Sequence, residues 1–89
     1  MSLIDEARSK INEIDVKMIE LFKERINAVM DVLKYKKEHN LPVFDENREV
    51  QLIAKNLHIL NDCELEKYYL EFFEGVLKSS KSYQRDHYE

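Results

Sequence analysis

Two cations of this 89-residue chain stand where apolar residues belong. From Leu3 to about Asn40 the sequence holds neither proline nor glycine. Apolar residues recur there through Ile4, Ala7, Ile11, Ile14, Met18, Leu21, Ala28 and Val32. That is the seven-residue rhythm of a helix with one buried face. Arg25 falls on this rhythm. Lys36 follows eleven residues later, which at about 100° per residue puts it within about 20° of the same face. A charge on an apolar face is costly unless it is paired or meets a ligand. The two together predict an anion site lined by hydrocarbon. The alternative is that both side chains run out to solvent, or that Lys36 only complements the negative end of its helix.

Three further groups of polar residues have spacing that suits a site. Asp45, Arg48, Glu49 and Leu52 stand at i, i+3, i+4 and i+7, a mostly polar helix face. The plainer account is an N-cap with a surface ion pair, contributing at most about 0.5 kcal/mol. Phe73, Leu77, Ser80 and Gln84 lie at i, i+4, i+7 and i+11, so one apolar stripe turns to hydroxyl and amide near its end. That change fits either a site lining or a fraying, exposed terminus. Arg8 precedes Arg25 by seventeen residues, roughly 25 Å of helix and about 100° around its axis. The two arginines of one helix cannot grip the same small ligand. Either Arg8 meets the Arg25 of an antiparallel second copy, or it is an ordinary solvated arginine near Asp5 or Asn12.

The elements that must carry these residues are helical. The first, from Leu3 to about Asn40, would be roughly 55 Å long. A second stripe, Ile19, Phe22, Ile26, Val29 and Leu33, widens its apolar face. A compact chain of this length has a radius of gyration of only about 12 Å. The remaining residues cannot cover such a helix, which predicts an intertwined homodimer of long N-terminal helices. Asn40 can take a left-handed cap and Pro42 prevents continuation, so residues 40–44 form a tight loop. Asp45 caps a second helix with the apolar stripe Val50, Ile53, Leu57 and Leu60. Asn61 followed by Glu64 reads as a capping box opening a third helix over residues 62–85. Leu65, Tyr69, Phe72, Phe73, Val76 and Leu77 are its core side. The expected fold class is all-α, with three helices in one domain spanning residues 1–89.

Composition narrows the function. Hydrophobic residues at 44% and charged residues at 36% describe a folded, highly charged helical protein. One glycine and one proline exclude a turn-rich β fold. A net charge of −4 argues against nucleic acid or an anionic membrane as partner. Cys63 is alone, which forbids an intrachain disulfide and suits the cytoplasm. No apolar run reaches membrane-spanning length. His39, His58 and His87 lack metal-ligand spacing, so no metal is expected. Neither a glycine-rich phosphate loop nor a serine–histidine–acid arrangement is present.

The polar positions share a pattern with a known family. Arg8 in EARSKINEID, Arg25 in ELFKERINAV and Lys36 in DVLKYKK stand in the same order and spacing as in the all-helical chorismate mutases. So do Asp45, Arg48 and Glu49 in PVFDENREVQL, and Ser80 and Gln84 in KSSKSYQ. Over nearly its whole length the chain resembles that family. Ser79 is the alternative to Ser80, although only Ser80 stands four residues before Gln84. The resemblance implies a homodimer of three-helix chains, with two active sites each completed by Arg8 of the other chain. It implies conversion of chorismate to prephenate, toward phenylalanine and tyrosine, with no cofactor. Arg25 and the partner's Arg8 would clamp carboxylates, and Lys36 and Gln84 would donate to the ether oxygen. Glu49 and the Asp45 backbone would bind the ring hydroxyl, while Arg48 and Ser80 complete the polar shell.

Two rival functions fit parts of this pattern. An isochorismate–pyruvate lyase is a related pericyclic enzyme that the resemblance also permits. A non-catalytic helical dimer, for assembly or metabolite binding, fits the periodicity alone. A plain helical seam, however, would place an apolar residue at Arg25.

Overall fold

The computed structural model describes residues 2–88, and among them the regular structure is three helices. Helix α1 spans Leu3–Glu38, α2 Glu46–Leu60 and α3 Glu66–Asp86. Each boundary has a local cause. Ser2 caps α1, its hydroxyl accepting from the Asp5 amide at 3.2 Å, and Asp5 and Glu6 face the positive end of the helix dipole. At the other end Leu41 N donates to Lys36 O (2.8 Å) and Asn40 N to Lys37 O (3.3 Å). Those two bonds form a Schellman close, with Asn40 at φ 54° in the left-handed position that asparagine tolerates. The helix thus stops two residues before the sequence estimate. Asp45 caps α2 as expected, its carboxylate accepting from Arg48 N at 3.1 Å.

The entry to α3 differs from expectation. Asn61 does not open it with a capping box. It closes α2 in the left-handed conformation, at φ 48°. Asp62 then accepts from the Glu64 amide at 3.0 Å within a turn, and α3 starts only at Glu66, after Leu65, which makes no side-chain cap bond. An asparagine satisfies a helix end as readily as a helix start, and here the αL end of α2 prevails.

Helix α3 is the hub, packed against both other helices. Contacts from Arg25 to Phe73, Met30 to Tyr83 and Lys36 to Gln84 run in the same direction along both helices, so α3 lies parallel to the C-terminal half of α1. Contacts from Glu49 to Lys81 and Asn56 to Tyr69 run in opposite directions, so α2 is antiparallel to α3.

The interior is thin. Leu33, Phe73 and Leu77 are the buried apolar residues. The molecule measures 56 × 26 × 16 Å with a radius of gyration of 16.4 Å, well above the roughly 12 Å of a compact chain this long. Ile11, Ile14 and Met18, members of the heptad stripe, remain 53, 43 and 41% exposed. The N-terminal half of α1 therefore carries an apolar face that its own chain leaves uncovered.

Candidate active site

Seven of the eight polar residues singled out in the sequence border one cavity of about 160 Å³. They are Arg25 and Lys36 from α1, Asp45, Arg48 and Glu49 from the start of α2, and Ser80 and Gln84 from α3. Val29, Val32, Val43, Leu52 and Leu77 supply hydrocarbon walls. Arg8 is not among them. It lies exposed in the second turn of α1, roughly 25 Å of helix from Arg25.

Helix packing fixes the two inward cations. The Arg25 guanidinium donates through Nη1 to the Ser80 hydroxyl. That hydroxyl turns its own hydrogen to Val76 O at 3.0 Å, leaving its lone pairs toward the arginine. Phe73, stacked on Tyr69 at 5.5 Å, holds its ring centroid 5.9 Å from Arg25 Cζ. Lys36 donates to Val43 O at 2.7 Å and to Gln84 Oε1 at 3.1 Å, which uses two of its three protons. The Gln84 amide donates back to Ser80 O at 3.3 Å. Ser80 and Gln84 are each only 7% exposed, so the polar end of the α3 stripe is interior and not frayed.

The charge balance inside the cavity is uneven. Glu49 is paired with Lys81, Nζ to Oε2 at 3.3 Å. Among the described residues no carboxylate lies within ion-pair distance of Arg25, Lys36 or Arg48. Burial lowers the pKa of the Arg25 guanidinium, the positive charge of Arg48 lowers it further, and Tyr69 opposes both. An arginine still keeps its proton under these conditions. The site therefore holds fixed positive charge in partly desolvated surroundings, and an anion between Arg25 and Arg48 would relieve their repulsion. Planar guanidinium groups match carboxylates with paired hydrogen bonds. No group of three or more His, Cys, Asp and Glu among the described residues is arranged to hold a metal.

Arg25 and Ser80 also border a second, larger hollow of about 570 Å³. Its walls are apolar, formed by Met18, Leu21, Phe22 and Ile26 of α1 and by Phe72 and Val76 of α3. The cation site thus opens onto the exposed face of α1.

Two participants escaped the sequence reading. Lys81 lines the cavity beside Glu49, and the backbone carbonyl of Val43 anchors Lys36. Neither leaves a periodic signal, since both contacts depend on how separate elements are juxtaposed.

Comparison with known proteins follows the same lines. The sequence profile of the family described as chorismate mutase type II matches residues 7–85. A protein named chorismate mutase from Methanocaldococcus jannaschii is 27% identical over 85 residues, covering 94% of this chain and 86% of that protein. A protein named T-protein from Haemophilus influenzae is 34% identical over 53 residues, which is 60% of this chain but only 14% of the T-protein. No solved structure matches at a significant level.

Proposed function

Because the chain belongs to the chorismate mutase type II family, a family of isomerases, we propose that it converts chorismate to prephenate on the way to phenylalanine and tyrosine. The observation that carries this reading is the convergence of Arg25, Lys36 and Arg48, none with a carboxylate partner among the described residues, on one cavity with Ser80, Gln84 and Glu49.

The substrate has two carboxylates, a ring hydroxyl and an ether oxygen, and it rearranges within one molecule. The protein's task is to hold the folded conformer and to stabilise negative charge as the ether bond breaks. Arg25 takes one carboxylate through its planar fork. Lys36, with one proton uncommitted, and the Gln84 amide donate to the ether oxygen. Glu49 and the Asp45 backbone receive the ring hydroxyl, and Arg48 and Ser80 complete the polar lining. The residues do this without a nucleophile, because the bond shift is concerted.

The active form in this reading is a homodimer. The uncovered face of α1 and the apolar hollow beside Arg25 support it, since a second copy would bury both. An antiparallel second α1 brings the partner's Arg8 to the remaining carboxylate.

The test is direct. Purified protein is incubated with chorismate, and separately with isochorismate, and the products are identified by mass spectrometry and chromatography. Rearrangement to prephenate leaves the mass unchanged. Release of pyruvate from isochorismate alone would make the protein a lyase, and no conversion of either compound would leave it a binding or assembly module.

A further inference from the structure

Lys81 stands on α3 between Ser80 and Gln84 in sequence, yet its side chain turns to Glu49 of α2 and to Phe44. Its ammonium spans both oxygens of Glu49, at 3.3 and 3.4 Å, and sits 4.8 Å from the centre of the Phe44 ring. The pair is not a simple surface contact. The side chains are 31 and 22% exposed, and both residues border the cavity. Through these contacts α3 clips both the first turn of α2 and the loop residue just before its Asp45 cap.

The charge arithmetic of the site gives this clip a purpose. A cavity for a dianion gains nothing from the negative charges of Asp45 and Glu49. Glu49 is useful only as an acceptor for a hydroxyl, held in one orientation. A cation spanning both its oxygens fixes that orientation and offsets its charge without taking the ligand's place. Lys81 holds Glu49 beside Phe44, while Arg25 and Lys36 make their bonds to Ser80, Val43 and Gln84.

We infer that Lys81 is a positioning residue that orients Glu49 and neutralises it, so that the site accepts a dianionic substrate while keeping an acceptor for its hydroxyl. This assignment rests on the function proposed above. No bond to the hydroxyl forms or breaks in the rearrangement, so Lys81 acts on substrate binding more than on the chemical step.

A double-mutant cycle tests it. Lys81→Met keeps the stem over Phe44 and removes the charge. Lys81→Gln is measured beside it, so that the comparison stands if either variant folds poorly. Glu49→Gln removes the group through which Lys81 acts. Lys81→Met is expected to raise KM for chorismate about tenfold, the scale of a lost charge-assisted bond, with a smaller effect on kcat. Lys81→Arg should restore most of the loss. In the Glu49→Gln background, removing the Lys81 charge should change KM less than about twofold. Equal KM increases in both backgrounds, or a wild-type KM in Lys81→Met and Lys81→Gln, would overturn the assignment alone. An unmodified protein that does not turn over chorismate would instead overturn the proposed function, and the assignment with it. Helical circular dichroism of each variant separates these outcomes from misfolding.

Discussion

The Lys36 ammonium donates to Gln84 Oε1 at 3.1 Å, joining α1 to the last turn of α3. This contact makes the proposed oxygen-binding pair a preassembled unit. It also fixes what a change at Gln84 would do.

An amide donates a hydrogen bond without titrating. Gln84→Glu would put a carboxylate beside the Lys36 ammonium, and that neighbour favours the ionised, acceptor-only form. The variant should therefore lose most activity at neutral pH and regain it only on acidification, as the carboxyl takes up a proton and can donate. The wild-type protein should show no such acid requirement. The check is kcat/KM against pH for both proteins; superimposable profiles would mean that Gln84 does not contact the reacting oxygen.

Arg25 combines partial burial, a hydroxyl partner on α3 and no acidic neighbour among the described residues. Arg25→Ala should leave a helical protein and lower kcat/KM by several hundredfold or more, since losing a contact with a buried or developing charge costs about 3–5 kcal/mol. Arg25→Lys should also be poor, because an ammonium cannot reproduce the fork. Melting temperatures measured alongside the kinetics separate site from fold. Near-normal turnover in Arg25→Ala would move the site elsewhere.

The shared site has a sharper test. Sedimentation of the unmodified protein should give twice the chain mass. Arg8→Ala and Arg25→Ala homodimers should each be nearly inactive. After co-refolding of equal amounts, about half the dimers are mixed, and each mixed dimer has one intact site and one lacking both arginines. Activity should return to roughly a quarter of wild type, the share set by symmetric pairing. No recovery, with heterodimers shown by mass, would mean that Arg8 serves no site across an interface.

Particular residues show how far the sequence could be read. The heptad stripe through Ile11, Ile14 and Met18 announced a long helix with a face too large for the chain, and those residues are exposed in it. Asp45 was legible as a cap because an N-cap is a local event, settled within one turn. Asn61 is ambiguous in sequence because the same side chain suits both a helix end and a helix start. Spacing alone placed Arg25 and Lys36 on one face. Their meeting with Ser80 and Gln84 came from the family resemblance, since it links residues 55 and 48 positions apart. Between the adjacent serines, Ser80 is buried against Arg25 and Ser79 is exposed, a difference set by the rotation of α3. Lys81 stayed invisible because its partner Glu49 belongs to a different helix.

The like charges that border this cavity also have a bearing on folding. Arg25, Lys36 and Arg48 share a cavity in which two of them repel each other when nothing lies between them. An anion that enters binds the native chain and not the unfolded one, so it draws the folding equilibrium toward the native state by mass action. At a hundred times its dissociation constant the gain is about 2.7 kcal/mol, a large share of a small domain's stability. The steady-state amount of this protein in a cell would then follow the supply of its own ligand, with the starved population the first to be degraded.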